Sequence, residues 1–179
     1  MGGNKSERFL GLAIGLLLLL LGGVIADSFR EKVIGAGDKA PDFSIATDNG
    51  RTISRSNFGG RLLVLNFWAT WCPPCKAEMP VIQSAYQAYR GQGLVVLAID
   101  STTDQDEANT ARDFASTHGL GFPVLADVRG EASQLYQVQA LPTSFFVDRQ
   151  GKIAWVVVGG PMAEALIRSH LETLLKAAP

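Results

Sequence analysis

The sequence predicts an α/β fold: a central mixed β-sheet flanked by helices, preceded by a hairpin extension and one N-terminal transmembrane helix. Three observations carry this reading. A long apolar run without charge lies near the start of the chain. Two continuously apolar stretches, each too short for a helix, bracket a segment of helical period. Two further strand patterns, joined by a tight turn, lead into a last helical pattern. A chain of 179 residues holds one domain of ordinary size plus a short appendage. We place the anchor and linker at residues 1–35 and the folded domain at 36–179.

The run Phe9–Ala26 (FLGLAIGLLLLLLGGVIA) has no charged residue and contains six consecutive leucines. As a helix it rises about 27 Å, close to the ~30 Å apolar slab of a bilayer. A leucine run with no polar face fits poorly as a core helix in a domain this small. Lys5 and Arg8 precede the run and Val24-Ile25-Ala26 resembles a cleavage site, so a cleaved, secreted form is the alternative to a retained anchor. Arg30 and Lys32 follow closely, which ties the count of flanking basic residues. The short N-terminal tail before the apolar run marks an export signal. The expectation is a single-pass cell-membrane protein with residues 27–179 outside the cytoplasm.

Residues 27–41 are polar, carry glycine and lack periodicity, and read as a linker. Short strands flank Asp48-Asn49-Gly50, whose Asn-Gly pair suits a hairpin turn. Leu62–Trp68 (LLVLNFW) is apolar except for Asn66, the pattern of a strand covered on both faces, and Leu94–Ile99 repeats it. Between them Cys75, Met79, Ile82, Tyr86 and Tyr89 recur at helical spacing. Strand, helix, strand makes a βαβ unit with parallel strands. A second helix is expected near 107–118, then a strand at Phe122–Leu125. Thr143–Val147 and Ile153–Val158, separated by a turn over 148–151, should be antiparallel neighbours. Ala163, Ile167, Leu171 and Leu174 mark the final helix.

Trp71-Cys72-Pro73-Pro74-Cys75-Lys76 holds the only two cysteines, where the first buried strand hands over to the helix. A helix's first turn has unpaired N–H groups and partial positive charge, which lower a thiol's pKa below the ~8.5 of free cysteine. Cys72, at the tip, is expected to be the exposed attacking sulfur. Cys75, one turn inside, is expected to be shielded and to resolve the mixed disulfide. Proline fits early in a helix because its missing N–H costs nothing there. As a structural crosslink the pair closes too small a loop to gain much chain entropy. Zinc needs four ligands, and His118 and His170 lie far apart with no second CxxC. Covalent haem attachment needs histidine where Lys76 stands. No metal and no cofactor is expected. A net charge of −1 argues against nucleic acid as a partner.

LNFWATWCPPCKAEMP at 65–80 and LPTSFFVDRQGKI at 141–153 resemble the membrane-anchored, thioredoxin-like proteins of the TlpA/ResA type, within the redoxin (AhpC/TSA-like) superfamily. The similarity covers roughly residues 37–176. It implies a thioredoxin-like fold and an extracytoplasmic thiol-disulfide oxidoreductase. Several members act in cytochrome c maturation, so apocytochrome c is a candidate among the protein disulfide substrates, with a membrane electron donor restoring the dithiol. The resemblance implies a cis Pro142 facing the cysteine pair, where the turned backbone can pair with an extended substrate. It adds Trp71, Pro73, Pro74, Leu141 and Thr143 as substrate-binding positions. Ordinary thioredoxins carry a buried aspartate where Asn66 stands. Glu78 matches the active-site glutamate of the ResA-like group, placed to raise the cysteines' pKa or relay the proton of Cys75. Pro80 should kink the helix. Two departures are Ala140, where glycine is common, and Pro73, which removes a donor between the cysteines and bears on the redox potential.

Two other functions fit these residues less well. A peroxiredoxin-type peroxidase needs a threonine or serine three residues before the cysteine and a nearby proline, whereas Thr70 is two residues ahead. A copper-chaperone-like binding protein uses CxxxC with a distal histidine, and only two residues separate Cys72 from Cys75.

Overall fold

A computed structural model describes residues 5–28, 33–47, 51–102 and 105–177. The chain divides into two units, Met1–Val33 and Ile34–Pro179.

The first unit holds one helix, α1 (Lys5–Ser28), of 24 residues. The large apolar side chains described along it, from Phe9 to Leu21, are exposed. Among the described residues no helix is long and apolar enough to cross a membrane. The fold therefore does not establish the transmembrane part of the expectation.

The second unit is a thioredoxin-like α/β fold. Strands β1 (Ser44–Ala46) and β2 (Thr52–Ser54) form the expected antiparallel hairpin, with Ile45 opposite Ile53. Its turn, Asp48-Asn49-Gly50, lies outside the described residues. The main sheet contains β3 (Leu62–Trp68), β4 (Leu94–Asp100), β5 (Val124–Ala126), β6 (Thr143–Val147) and β7 (Ile153–Val158), in the order β5-β4-β3-β6-β7. The first three run parallel; β6 pairs antiparallel with β3 and β7 antiparallel with β6. Every residue of β3 and β4 is buried, the polar Asn66 and Asp100 included, as expected of central strands covered on both faces.

Helix α2 (Pro73–Tyr89) connects β3 to β4 and α3 (Gln105–Thr117) connects β4 to β5. Helix α5 (Glu164–Lys176) closes the chain, burying Ile167, Leu171 and Leu174. Ala163 is its N-cap rather than part of the buried stripe. Cys75, Met79, Ile82 and Tyr89 of α2 are buried as their spacing predicts; Tyr86 is only half-buried, and Glu78 and Ala85 complete the face. Pro80 does lie within α2.

Two expectations need correction. The linker does not extend to residue 41. Gly37 N–H donates to the Ile153 carbonyl, Ile153 N–H to Asp38 and Ala40 N–H to Gly151, so residues 37–40 pair along the start of β7. The contact is mostly backbone to backbone, which leaves no side-chain period to read. A five-residue helix, α4 (Glu131–Leu135), was not anticipated. The Asp127 carboxylate accepts from Ala132 N–H and Ser133 N–H and holds its first turn.

Candidate active site

Helix α2 begins at the redox pair, and its opening residues dictate the geometry. Cys72 is the N-cap, with extended backbone, and Pro73 and Pro74 take the first two helical positions. Prolines delete two of the N–H groups that a helix start leaves unpaired. Cys75 N–H is therefore the first donor the helix presents, and it points at Cys72 Sγ, 3.3 Å away. The two sulfurs are joined, at 2.03 Å, with their Cα atoms 5.3 Å apart.

Exposure follows the expected order but on a smaller scale. Cys75 is fully buried, while Cys72, expected to be an exposed tip, retains 4% of its surface. Both belong to the apolar cluster that includes Trp68, Ala69, Met79 and Met162, and that packing shields the oxidised pair. Trp71, immediately before Cys72, is 61% exposed.

One turn beyond Cys75, Glu78 is buried rather than solvated. Its Oε1 accepts from Asn66 Nδ2 at 2.7 Å, and its Oε2 accepts from Met162 N–H at 3.0 Å. Asn66 Nδ2 also donates to Ser144 Oγ at 2.9 Å, across the β3–β6 register. Burial pushes the Glu78 carboxyl above its ordinary range, and the Met162 and Asn66 donors pull partly back. The strand offers an amide at position 66, and the helix supplies a carboxylate beside it.

The Leu141–Pro142 peptide is cis, as the resemblance implied, and so is Gly160–Pro161. Gly159 N–H donates to the Pro142 carbonyl at 2.8 Å. Leu141 is half-buried. Thr143 is buried, its hydroxyl donates to the Ala140 carbonyl, and its backbone is flanked in the sheet by Phe67 and Val158. The Thr143 side chain is thus turned toward its own chain.

Residues 36–156 match the AhpC/TSA family, and the matched stretch contains the cysteine pair, Glu78 and Pro142. The chain belongs to the AhpC/TSA family. Among its curated relatives, the thiol-disulfide oxidoreductase ResA of Geobacillus thermodenitrificans is 36% identical over 175 residues, covering 96% of this chain and 98% of the relative. ResA of Bacillus subtilis is 32% identical over 175 residues, covering 95% and 96%. Among solved structures, StoA from Bacillus subtilis superposes with a TM-score of 0.62 at 30% identity, over 74% of this chain and 97% of StoA. A Chlorobium tepidum protein assigned as the thiol:disulfide interchange protein DsbE gives 0.73 at 31% identity, over 79% and 99%. This AhpC/TSA-family protein is a thiol-disulfide oxidoreductase.

Sequence reasoning missed two parts of the family member's site. Ser144 looked like an ordinary strand residue, and its role emerges only from the β3–β6 register. The segment 159–162 carried a signal in Gly159-Gly160-Pro161, a cluster too conformationally specific for a plain strand-to-helix link.

Proposed function

We propose that this oxidoreductase is an extracytoplasmic, membrane-tethered reductant of protein disulfides, with Cys72 as the attacking sulfur and Cys75 as the resolving one. The reading is carried by the Cys75 N–H aimed at Cys72 Sγ from the first turn of α2. A donor in that place favours a thiolate at position 72 once the pair is reduced. The Cys72 thiolate attacks one sulfur of the substrate disulfide, whose other sulfur leaves as a thiolate. The Cys75 thiolate then attacks Cys72 Sγ, re-forming the Cys72–Cys75 bond and releasing the second substrate thiolate. Two electrons pass to the substrate, and its thiolates take up protons according to pH. A membrane electron donor restores the dithiol.

Glu78 is the group that handles the proton of Cys75, being one helical turn away and held above the ordinary carboxyl range by burial. Pro142 and Leu141 form the edge along which an extended substrate segment pairs. Trp71, Pro73 and Pro74 supply the apolar surface around Cys72, with exposed Trp71 the principal contact. Thr143 shapes this edge through its backbone. The uncharged run Phe9–Ala26 within α1 supports the tether. The likeness to TlpA/ResA-type proteins supports apocytochrome c as a substrate.

A Cys75→Ser variant removes the resolving sulfur and is expected to stall as a mixed disulfide through Cys72. Mass spectrometry of the captured species identifies the partner. Absence of any dithiothreitol-sensitive adduct on Cys72, in cells making the full chain, would overturn the assignment.

A further inference from the structure

We propose that Gly160 is a positioning residue for disulfide exchange: by presenting no side chain it lets Glu78 and Pro142 meet at one point, fixing the carboxylate beside the cysteine pair. The inference rests on the reading of Glu78 given above.

The demand for glycine here is steric. A Cβ placed on Gly160 would lie 2.7 Å from Pro142 Cγ and 2.8 Å from Glu78 Oε2, both closer than real Cβ atoms come. Gly160 lies outside the left-handed region, so the backbone itself admits alanine; the neighbouring Gly159, at φ 82°, is the conformational glycine. Neither contact retreats easily. The Pro142 ring is closed onto its own backbone, next to the start of β6. The Glu78 carboxylate is held at one oxygen by Asn66 and at the other by Met162 N–H.

The same short segment therefore engages both partners. Gly159 N–H ties it to the Pro142 carbonyl, Gly160 seats against ring and carboxylate, and Met162 N–H closes on Glu78 Oε2. Adding one methyl group at 160 pushes the carboxylate off the Met162 donor while Asn66 still holds it inside. A buried carboxylate that loses an N–H donor becomes harder to ionise. The groups against Glu78 are the Asn66 amide on β3 (with Ser144 of β6 behind it), the Pro142 ring and the 160–162 backbone, while Cys75, one turn earlier on α2, is bonded to Cys72 and titrates only once the pair is reduced. No charged side chain is among the groups that set its titration.

The test uses the full chain in detergent, reduced, with a disulfide-bridged peptide as oxidant, for wild type, Gly160→Ala, Glu78→Gln and the double variant. Two quantities are read: the exchange rate against pH, and the titration of the Glu78 carboxyl carbon by NMR. Gly160→Ala is expected to slow exchange about tenfold, the scale of one hydrogen bond to a charged group. It is also expected to move the carboxyl midpoint upward, and most of the rate loss should vanish in the Glu78→Gln background. An unchanged or lowered midpoint overturns the proposal, as does an equal rate loss with and without Glu78. If Glu78→Gln alone leaves the pH profile untouched, the proton-handling reading fails, while the carboxyl midpoint in Gly160→Ala still judges the positional claim. Should Gly160→Ala not fold, pairing it with Glu78→Ala removes the carboxylate that the new Cβ meets and should restore folding; if the paired variant folds no better, the claim that Gly160 makes room for Glu78 fails.

Discussion

The two faces of the central sheet are built from the same strands but used for different purposes. Along β3, Leu63, Leu65 and Phe67 point into a cluster with Phe43, Tyr136 and Phe145. Val64 and Trp68 point the other way, into the cluster beneath α2 and α5, and Asn66 faces that side with Glu78. β6 follows suit, with Phe145 on the first side and Ser144 on the second. The first face is rich in aromatic packing: Tyr136 lies 4.9 Å from Phe145 and 5.4 Å from Phe67, ring centre to ring centre. The second encloses a carboxylate, an amide, a hydroxyl and the redox sulfurs. Among the described residues Asn66 Oδ1 is buried there without a hydrogen-bond partner, and an unsatisfied buried acceptor is unfavourable, so the second face stays folded partly because the first is well packed. Stability and chemistry are divided across one layer of strands.

The strongest way to break this comparison is to hollow out the aromatic face. Phe145→Ala removes a ring that is 2% exposed, and the expected loss is about 3–5 kcal/mol in urea unfolding. The exchange rate of the folded variant should stay near the wild-type value, because Cys72 and Cys75 pack in the other cluster and, of the residues assigned to the site, Leu141 alone leans on this one. A loss under ~1 kcal/mol would refute the division of labour, and so would a slowed exchange with full stability.

A smaller effect tests the polar face. Because the native Glu78 carboxyl binds its proton more tightly than the unfolded one, the native state holds more protons above the ordinary value of 4.5. Stability contributed by the neutral carboxyl is complete below that value and is lost as pH rises toward the higher native one, with a slope of at most ~1.4 kcal/mol per pH unit. Unfolding of the oxidised full chain, in which neither cysteine titrates, should show this decline. Glu78→Gln, which keeps one acceptor oxygen and carries no charge, should remove it. If wild type and variant show parallel stability curves across the window, the carboxyl is not poised as described.

The sequence made the second face legible only in part. Cys72, Cys75 and Glu78 were readable because their spacing along one helix is local, and two apolar runs around them fix the strand-helix-strand unit. Asn66 stood out as the polar residue in an otherwise apolar strand, but its partner could not be seen. That Asn66 meets Glu78 and Ser144 depends on helix packing and on antiparallel register, both long-range consequences of the fold. Gly160 was hidden for the same reason, since its steric role requires Pro142 and Glu78 to converge from distant positions. The first face was plainer, because apolar runs in β3, β4 and β6 announce burial whatever they pack against. Its backbone-paired segment at 37–40 was opaque, having no side-chain period.

That segment gives the mildest test, at the margin of the aromatic face. Tyr136 donates from its hydroxyl to the Pro41 carbonyl at 2.8 Å, fastening the start of the domain to the cluster. Burial holds the phenol well above its ordinary range, so it remains a donor at any pH used for assay. Tyr136→Phe keeps the ring and loses only this bond, for an expected cost of about 1 kcal/mol. The loss should be local. The Ala40 amide, bonded to the Gly151 carbonyl, should exchange its hydrogen up to about fivefold faster, while amides in β3 change only as far as global stability does. If Tyr136→Phe cost as much as Phe145→Ala, the hydroxyl rather than the packed rings would be holding this face together, and the contrast between an apolar face and a polar one would fail.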